Sequence, residues 1–298
     1  MTRVAVVAHG TKTAADGSDG LRAAVQDAIR TAGWPEPDWL RTTEQDPGRG
    51  LAQQAVKDGA QLVVACGGDG TVSSCAEGLA GTGVPMAILA VGTGNLIAGN
   101  LGIPTDPKSA LEVLTSGVDE PVDVGRYAGG LVVGMAGIGL DAAMVTDAPV
   151  WLKKHLGWAA YVVSILRHLG DRGIRVSMEL DGVRHVRRRV RTLVIGNMGT
   201  LRGGIQLLPD ARADDGLLDA VLLAPRGILG WLPVAARIAI RRSKSTVTVE
   251  RFQARHIVVR TAHSVPQEVD GEPQRSARVM DITIDPGALL VRVPRTAQ

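Results

Sequence analysis

Apolar residues in the first 120 positions follow two alternating patterns. Continuous apolar runs at residues 4–8, 62–66 and 86–90 are typical of strands that are buried on both faces of a parallel sheet. Between these runs, apolar residues recur at the three- and four-residue spacing of amphipathic helices, which glycines such as Gly33 and Gly59 end. This alternation of strands and helices predicts an α/β domain whose parallel sheet carries helices on both faces.

Three shorter signals complete the first domain. Trp39 lies in a short second strand. Thr71 is expected to open the helix that follows the strand at residues 62–66. Asp106 and Pro107 are the residue types that favour the N-cap and the first position of a helix, so a further helix is predicted to begin there.

After residue 120 the chain consists mainly of short apolar runs in which polar and apolar residues alternate. Such runs predict antiparallel strands, at residues 131–133, 174–180, 190–195, 217–223, 246–252, 256–260, 279–284 and 289–293. Asp181-Gly182 predicts a hairpin turn, and residues 158–169 predict one helix. The sequence therefore predicts an α/β domain at residues 1–120 and a mostly antiparallel β-sandwich at residues 121–298, whose last strand is free to return to the first domain.

Composition places the chain among ordinary globular proteins, since 45% of its 298 residues are apolar and 21% are charged. A net charge of +3 is too small to favour a nucleic-acid partner. No apolar run approaches the ~20 residues that span a bilayer, and the N-terminus lacks the pattern of a signal peptide. Cys66 and Cys75 occupy core-facing positions and are expected to be buried free thiols. We therefore expect a cytoplasmic protein.

The strand at residues 62–66 runs into the turn Gly67-Gly68-Asp69-Gly70-Thr71. Glycines let backbone N–H groups converge without interference from Cβ atoms, and the helix that follows adds partial positive charge at its N-terminus. The turn is neither a Walker A loop nor a Rossmann motif, and a plain strand-to-helix turn is the alternative. Asp69 favours a nucleotide with Mg²⁺, because a carboxylate that faces phosphate needs a cation between the two groups.

A second glycine turn, Gly92-Thr93-Gly94-Asn95, follows the strand at residues 86–90. Ligands of open α/β sheets bind beyond the carboxyl ends of the strands. We therefore expect the two glycine turns to form one crevice.

Four stretches together resemble the diacylglycerol kinase catalytic family of lipid kinases, which includes bacterial soluble lipid kinases and sphingosine kinases. They are the first glycine turn, the second turn with Leu101-Gly102-Ile103-Pro104, residues 208–219, and Asp270-Gly271-Glu272. The resemblance covers nearly the whole chain in order. It implies ATP-dependent transfer of the γ-phosphate to the hydroxyl group of a diacylglycerol-like or sphingoid-like lipid, in a cleft between a nucleotide domain and a β-sandwich.

The resemblance also implies roles for individual residues. Asp69 is the residue that organises the catalytic Mg²⁺, and Glu272 is the general base. The residues implied to bind ATP are Thr42, Gly67, Gly68, Asp69, Gly70, Thr71, Thr93 and Asn95, with Thr43 as the alternative to Thr42.

A second, structural Mg²⁺ is implied on Asp215 with the backbone carbonyls of Arg212 and Leu217. Considered without the resemblance, residues 214–216 fit a solvated turn equally well. Without the resemblance, Asp270-Gly271 likewise fits a plain hairpin turn better than a catalytic loop.

Two departures from the family pattern leave other functions open. The Asn-Pro that usually follows the first strand is absent, since the chain reads His9-Gly10-Thr11 there, and Leu96 stands where many relatives carry an aspartate. These departures favour, as one alternative, a non-catalytic protein that binds lipid or nucleotide. The other alternative is an NAD kinase, which shares the first glycine turn and a β-rich second domain, although the second glycine turn and Asp270-Gly271-Glu272 resemble the lipid kinases more.

The implied partners are a lipid with a free hydroxyl group and, transiently, the membrane surface where such lipids reside. The implied metabolic role is phospholipid biosynthesis. A homodimer is the assembly considered. Residues 228–244 combine apolar and basic side chains and are a candidate interfacial element, although a helix packed on the sandwich fits them better. The five arginines between Arg184 and Arg191 are interpreted as a solvated strand edge that resists aggregation.

Overall fold

The computed structural model describes residues 2–10, 18–139, 173–201, 204–225, 230–231, 246 and 248–295. Contacts between Cα atoms divide the chain into two compact units. The first comprises residues 1–124, 213–215 and 285–298, and the second comprises residues 125–212 and 216–284. The helix predicted at residues 158–169 and most of the segment 228–244 lie outside the described residues.

The first unit is built around a parallel sheet. Its strands are β1 (Val4–Ala8), β2 (Asp38–Arg41), β3 (Leu62–Gly67) and β4 (Met86–Ala90). They lie in the order β2-β1-β3-β4, and each neighbouring pair is parallel. Every residue of β1, β3 and β4 is buried, which confirms the prediction from the continuous apolar runs. Beyond β4, Val291 of the C-terminal segment pairs with Met86 in parallel.

Helices cover both faces of this sheet. The described helices of the unit are α1 (Ser18–Thr31), α2 (Arg49–Lys57), α3 (Asp69–Leu79), α4 (Leu96–Asn100) and α5 (Pro107–Ser116). α1 and α5 share one hydrophobic cluster with alternate residues of β1, β3 and β4. The remaining strand residues are buried on the other face, where α2 packs on α3 and contacts β1 and β3. The predicted α/β fold of this domain is confirmed.

Capping chemistry sets the helix boundaries. Asp106 is the N-cap of α5, and its side chain accepts the backbone N–H of Ser109 at 2.9 Å, as its position before Pro107 predicts. α3 begins at Asp69 rather than at the predicted Thr71, because Gly68 takes the N-cap position in extended conformation. Asp69 thereby lies in the first turn of the helix, where the helix dipole favours a negative charge.

The second unit consists mainly of antiparallel strands. They are β5 (Val118–Tyr127), β6 (Gly130–Val132), β7 (Met135–Gly139), β8 (Ile174–Leu180), β9 (Arg184–Val190), β10 (Thr192–Gly196), β11 (Thr200–Leu201), β12 (Ile205–Gln206), β13 (Leu218–Leu223), β14 (Val249–Ala254), β15 (His256–Val269) and β16 (Glu272–Val293). Residues 118–124 of β5 and 285–293 of β16 belong to the first unit.

Most strands of the second unit pair in one connected order around a main hydrophobic cluster. The central order is β14-β13-β10-β7-β15, and β15 also pairs with β8, which pairs with β9. Each of these pairings between described strands is antiparallel. The main hydrophobic cluster includes Ile138, Met178, Leu193, Leu222 and Ile257, all nearly inaccessible to solvent. The predicted, mostly antiparallel second domain is confirmed.

Several predicted strand bounds were wrong in detail. The strands predicted at residues 279–284 and 289–293 are one strand, β16, because the intervening Asp285-Pro286-Gly287 does not turn the chain back. Instead the N–H of Gly287 donates to Asp123 Oδ1 at 2.7 Å, which holds this stretch in the first unit. The strand predicted from residue 246 begins at Val249.

The arginine-rich run forms β9, whose pairing partner among the described strands is β8 alone. The predicted hairpin turn joins these strands through the three residues 181–183, and Asp181 and Gly182 have positive φ angles of 51° and 72°, which Asp and Gly adopt readily in hairpin loops. Among the described residues, no helix combines the length and the apolar character needed to cross a membrane.

Candidate nucleotide site and candidate carboxylates

The carboxyl ends of β1, β2, β3 and β4 meet at one edge of the parallel sheet. The loops after β1 and β2 are joined there, because the N–H of Gly10 donates to Thr42 Oγ1 at 3.1 Å. Farther along the same edge, the N–H of Val91 after β4 donates to the carbonyl of Gly67 at 3.0 Å. This is the edge at which open α/β sheets bind their ligands.

The two glycine turns at this edge contact one another directly. A Cβ atom on Gly92 would lie 2.5 Å from the Cα of Gly68, and one on Gly94 would lie 2.5 Å from Asp69 Oδ2. A side chain at Gly92 would overlap the backbone of Gly68, and one at Gly94 would displace the Asp69 carboxylate. The structure therefore brings together the two turns that the sequence predicts to form one crevice.

Asp69 lies where these turns meet. It is the first residue of α3 and is half-buried, and its Oδ1 accepts the N–H of Ile97 in α4 at 3.2 Å. The N-cap residue Gly68 contributes no side chain to cap the helix. Backbone N–H groups of the first helical turn are therefore left for an external acceptor, which is the arrangement that binds phosphate at helix N-termini.

Thr71 and Asn95 shape the turns. Thr71 is 5% exposed, and its side-chain atoms lie where a Cβ atom on Gly67 would come within 3 Å of them. Asn95 has a φ of 51° and donates from Nδ2 to the carbonyl of Gly92 at 3.0 Å. These contacts position the backbone of both turns. Thr93 is exposed at the tip of the second turn.

The two candidate threonines after β2 differ in their contacts. Thr42 accepts the N–H of Gly10, which follows β1 at the ligand-binding edge. Thr43 is exposed, and its hydroxyl accepts the N–H of Asp46 within a local turn. Of the two, Thr42 is the one whose side chain lies against the loop after β1.

Glu272 lies in the second unit, at the start of β16 and directly after a two-residue hairpin loop. Val269 pairs with Glu272, and the loop residues Asp270 and Gly271 have φ angles of 50° and 83°. The Glu272 side chain is exposed. The loop is therefore the hairpin turn that the residues alone predict, with Glu272 displayed beside it.

Asp270 is held by the backbone that precedes β7. Its Oδ1 accepts the N–H of Gly134 at 2.8 Å and that of Met135 at 3.0 Å, and its Oδ2 accepts the N–H of Val133 at 3.0 Å. Buried Glu268 adds a further bond, accepting the N–H of Gly271 at 2.8 Å. Sequence reasoning missed these roles, since nothing local marks the two carboxylates as acceptors for distant backbone groups.

The residues implied to hold a structural Mg²⁺, Arg212, Asp215 and Leu217, lie on the segment between β12 and β13. Arg212 and Asp215 are exposed, and Gly216 between Asp215 and Leu217 has a φ of 72°. Within the first unit, the carbonyl of Ala213 accepts the N–H of Asp123 at 2.7 Å. Asp123, which is 3% exposed, is a further residue that sequence reasoning missed. The sequence does mark it, since an acidic residue between two valines of a strand is unusual and indicates a buried carboxylate.

A metal ion at the glycine turns would have few protein ligands. The described residues contain no group of three or more His, Cys, Asp or Glu side chains that could hold a metal ion. Mg²⁺ is commonly held by one or two carboxylates together with substrate phosphates, so a single carboxylate at a phosphate-binding turn fits it. Close packing at Gly67, Gly92 and Gly94 holds the two turns together, and the uncapped backbone N–H groups at the start of α3 are the donors that fit a nucleotide phosphate.

Both cysteines are buried free thiols, as predicted. Burial raises the pKa of the Cys66 thiol to about 11. Burial, with a smaller contribution from the Asp46 carboxylate, raises the pKa of the Cys75 thiol to about 12. Both thiols therefore stay protonated at neutral pH, which excludes them as nucleophiles at this edge.

Comparison with protein families accounts for almost the whole chain. Residues 3–127 match the diacylglycerol kinase catalytic domain. Residues 133–293 match the YegS C-terminal NAD kinase beta sandwich-like domain.

Two full-length relatives carry the same name, probable lipid kinase YegS-like. The protein of Pseudomonas fluorescens is 32% identical over 298 residues, covering 97% of this chain and 94% of that protein. The protein of Pseudomonas aeruginosa is 33% identical over 301 residues, covering 98% of this chain and 94% of that protein.

Solved structures show the same fold. A diacylglycerol kinase from Bacillus anthracis superposes with a TM-score of 0.80 at 23% identity, covering 98% of this chain and 97% of that chain. Yeast NADH kinase in complex with NADH superposes with a TM-score of 0.53 at 13% identity, covering 99% of this chain and 84% of that chain. The likeness to the NADH kinase is thus much more distant.

Proposed function

Because the chain belongs to the YegS-like family of lipid kinases with a diacylglycerol kinase catalytic domain, we propose that it phosphorylates a lipid hydroxyl group with ATP. A bond forms between the hydroxyl oxygen and the γ-phosphorus, the bond from that phosphorus to ADP breaks, and the hydroxyl proton passes to a base. The acceptor is a lipid of the diacylglycerol or sphingoid class, and transfer takes place at the cytoplasmic surface of the membrane.

One observation carries this proposal: the two glycine turns meet around Asp69. A side chain at Gly92 would overlap the backbone of Gly68, and one at Gly94 would displace the Asp69 carboxylate, so glycine backbone and one carboxylate lie together at this part of the edge. Such a surface suits the phosphates of a nucleotide, because phosphoryl transfer needs mainly positioning and neutralisation of charge.

Residues of the first unit would bind ATP. The N–H groups of Gly67 to Thr71 and the side chain of Thr42 would hold the nucleotide, and Asp69 would hold Mg²⁺. When bound, Mg²⁺ neutralises charge on the phosphate oxygens. The bond from Ile97 N–H fixes Asp69 Oδ1, which leaves Oδ2 as the oxygen beside the second turn.

Glu272 would accept the proton of the lipid hydroxyl. Asp270 and Glu268 support this role by fixing the hairpin loop, since together they accept four backbone N–H groups. An exposed carboxylate on a fixed loop can meet a substrate without first ordering its own backbone. Asp215 would bind a separate, structural Mg²⁺ with the carbonyls of Arg212 and Leu217.

The direct test is transfer of labelled phosphate from [γ-³²P]ATP with Mg²⁺ to a panel of dispersed lipids, which includes diacylglycerol, a sphingoid base and ceramide. Label in one extracted lipid class is the expected result. Labelled NADP, formed when NAD is the acceptor, would instead assign the NAD kinase activity. Absence of transfer to every acceptor would favour a non-catalytic binding protein.

The matched control for this test is Asp69→Asn. The asparagine oxygen can still accept the N–H of Ile97, so we expect the melting temperature to stay near that of the wild type. Turnover should fall at least ~100-fold, because a metal ion contributes several kcal/mol of charge stabilisation. Wild-type turnover by this variant would contradict the assignment of Asp69.

A further inference from the structure

A shallow groove of about 530 Å³ crosses the outer face of β8, β9 and β15 in the second unit. Its charged lining residues are all arginines: Arg175, Arg187, Arg188, Arg189 and Arg260. These residues come from three neighbouring strands, although four of the five are close together in the sequence.

Strand register places four of the five arginines on one face, whereas Arg188 is directly opposite the buried Val176 and lies on the other side of β9. Arg175 of β8 is directly opposite Arg189 of β9, and Ser177 of β8 is directly opposite both Arg187 of β9 and Arg260 of β15. Directly opposite residues of an antiparallel pair point to the same side with Cβ atoms ~5 Å apart. The core-facing residues of β8 alternate with this row and are buried.

Only part of this positive charge is compensated. Arg260 pairs with Glu179 at 3.1 Å, and Arg188 pairs with Glu250 at 2.6 Å. In the described part of the chain, Arg175 and Arg187 are exposed and have no ion-pair partner, and Arg189 donates to the uncharged carbonyl of Gly173.

Placing like charges directly opposite one another destabilises a strand pair. Charge repulsion between Arg175 and Arg189 destabilises the pairing of β8 with β9 in this way. An anion that lies against both side chains relieves this repulsion. Three arginines without an ion-pair partner among the described residues lie on one face.

We propose that this face, which we call the arginine face, docks on the surface of an anionic lipid bilayer. A small anion would gain little there, because an exposed ion pair is screened by water and contributes little. A bilayer presents many anionic head groups at once, and each arginine near it adds to the attraction. The arginines lining the groove are accompanied by no aromatic side chain, whereas proteins that bind single-stranded nucleic acid stack bases on aromatic residues.

This inference deepens the proposed function, because the proposed lipid acceptor lies in a bilayer. The test is sedimentation of the full chain, without ATP, with phosphatidylcholine vesicles that contain or lack phosphatidylglycerol. We expect binding to the anionic vesicles only, and weaker binding as salt is raised.

The informative variant is the double replacement Arg175→Gln with Arg187→Gln. Each basic residue near an anionic surface strengthens binding roughly fivefold, so the double variant should bind anionic vesicles roughly 25-fold more weakly. Replacement of both residues by lysine keeps the charges and should preserve binding. The control is Arg255→Gln with Arg295→Gln, which removes the same charge from two exposed arginines outside the groove and should leave binding unchanged.

Three results would overturn the proposal: equal binding to neutral and anionic vesicles, wild-type binding by the double glutamine variant, or loss of binding in the lysine variant. Arginine-dependent binding of duplex DNA without vesicle binding would assign a nucleic-acid surface instead. Kinase activity toward lipid in neutral detergent micelles is measured in parallel. Activity in micelles, together with vesicle binding that does not depend on the arginines, would refute the arginine face and leave the kinase assignment standing. Arginine-dependent vesicle binding without any phosphate transfer would support the arginine face and refute the kinase assignment.

Discussion

The two carboxylates of the hairpin loop, Asp270 and Glu272, have different surroundings. Asp270 accepts three backbone N–H groups from residues 133–135, more than 130 positions earlier in the chain. Glu272 is exposed and bonds through its backbone carbonyl, which accepts from Gln274. One carboxylate is therefore committed to structure, and the other is free to meet a substrate.

This difference gives a prediction for Glu272. Glutamine keeps the size of glutamate but cannot take up the hydroxyl proton. Because general-base catalysis typically contributes ~10²–10⁴-fold, Glu272→Gln should lower kcat by roughly that factor. The melting temperature and the KM for ATP should stay near the wild-type values. Steady-state kinetics with the identified lipid provide the measurement, and full turnover would exclude Glu272 as the base.

The matched variant, Asp270→Asn, should behave differently. In this variant an amide NH2 group would replace one of the two oxygens that accept backbone N–H groups. Two hydrogen-bond donors, the NH2 group and a backbone N–H, would then face one another. Leaving a partly buried donor unsatisfied costs about 1–3 kcal/mol, so thermal unfolding should occur at a lower temperature. If Asp270→Asn instead lost turnover at wild-type stability, while Glu272→Gln kept it, the catalytic role would move to Asp270.

At the scale of single elements, helix α5 shows how a local signal is converted into stability. Asp106 accepts the N–H of Ser109, and this hydrogen bond to the backbone is the main reason that the pKa of Asp106 is lowered. A carboxyl group whose pKa is lower in the folded state stabilises the protein above its unfolded pKa. That contribution disappears as the pH falls through the folded pKa.

Asp106→Ala tests this cap. At pH 7 the variant should unfold at a lower urea concentration than the wild type, because α5 loses the acceptor for its first turn. The difference should shrink as the pH falls below ~4, the ordinary pKa of an aspartate, since the wild-type carboxylate is then progressively protonated. Urea unfolding at pH 7 and at acidic pH measures both effects, and a pH-independent difference would show that the carboxylate charge plays no part.

At the scale of the whole molecule, the proposed roles are distributed between the two units. The nucleotide edge with Asp69 belongs to the first unit, and the hairpin loop with Glu272 and the arginine face belong to the second. The segment around Asp215 contributes to both, because residues 213–215 cluster with the first unit and their neighbours on either side cluster with the second.

A cation bound to this segment should therefore stabilise the folded chain. An ion that binds the native state alone stabilises it by about 2.7 kcal/mol at 100 times its Kd. We expect Mg²⁺ to raise the melting temperature of the wild type but not that of Asp215→Ala. Asp214→Ala, which removes the same charge one residue away, is the control and should respond as the wild type does. Equal responses in all three proteins would exclude a structural ion at Asp215.

Features that depend on neighbouring residues follow directly from the amino-acid sequence. Continuous apolar runs specified β1, β3 and β4, because a strand covered on both faces must be apolar at every position. Asp106-Pro107 and Asp181-Gly182 specified a cap and a hairpin turn, because these residues favour the backbone angles that such positions need. The same local patterns predicted both fold classes.

Contacts between groups that are distant in the sequence follow from the packing of the fold. Contact between Gly94 and Asp69, the bonds from residues 133–135 to Asp270, and the pairing of Arg175 with Arg189 all depend on how separate segments pack and register. A one-residue shift of strand register moves a side chain to the other face of the sheet, so an arginine face cannot be distinguished from an arginine-rich edge by sequence spacing alone. Local patterns record burial and backbone angle, whereas these contacts are fixed by the packing of the complete fold.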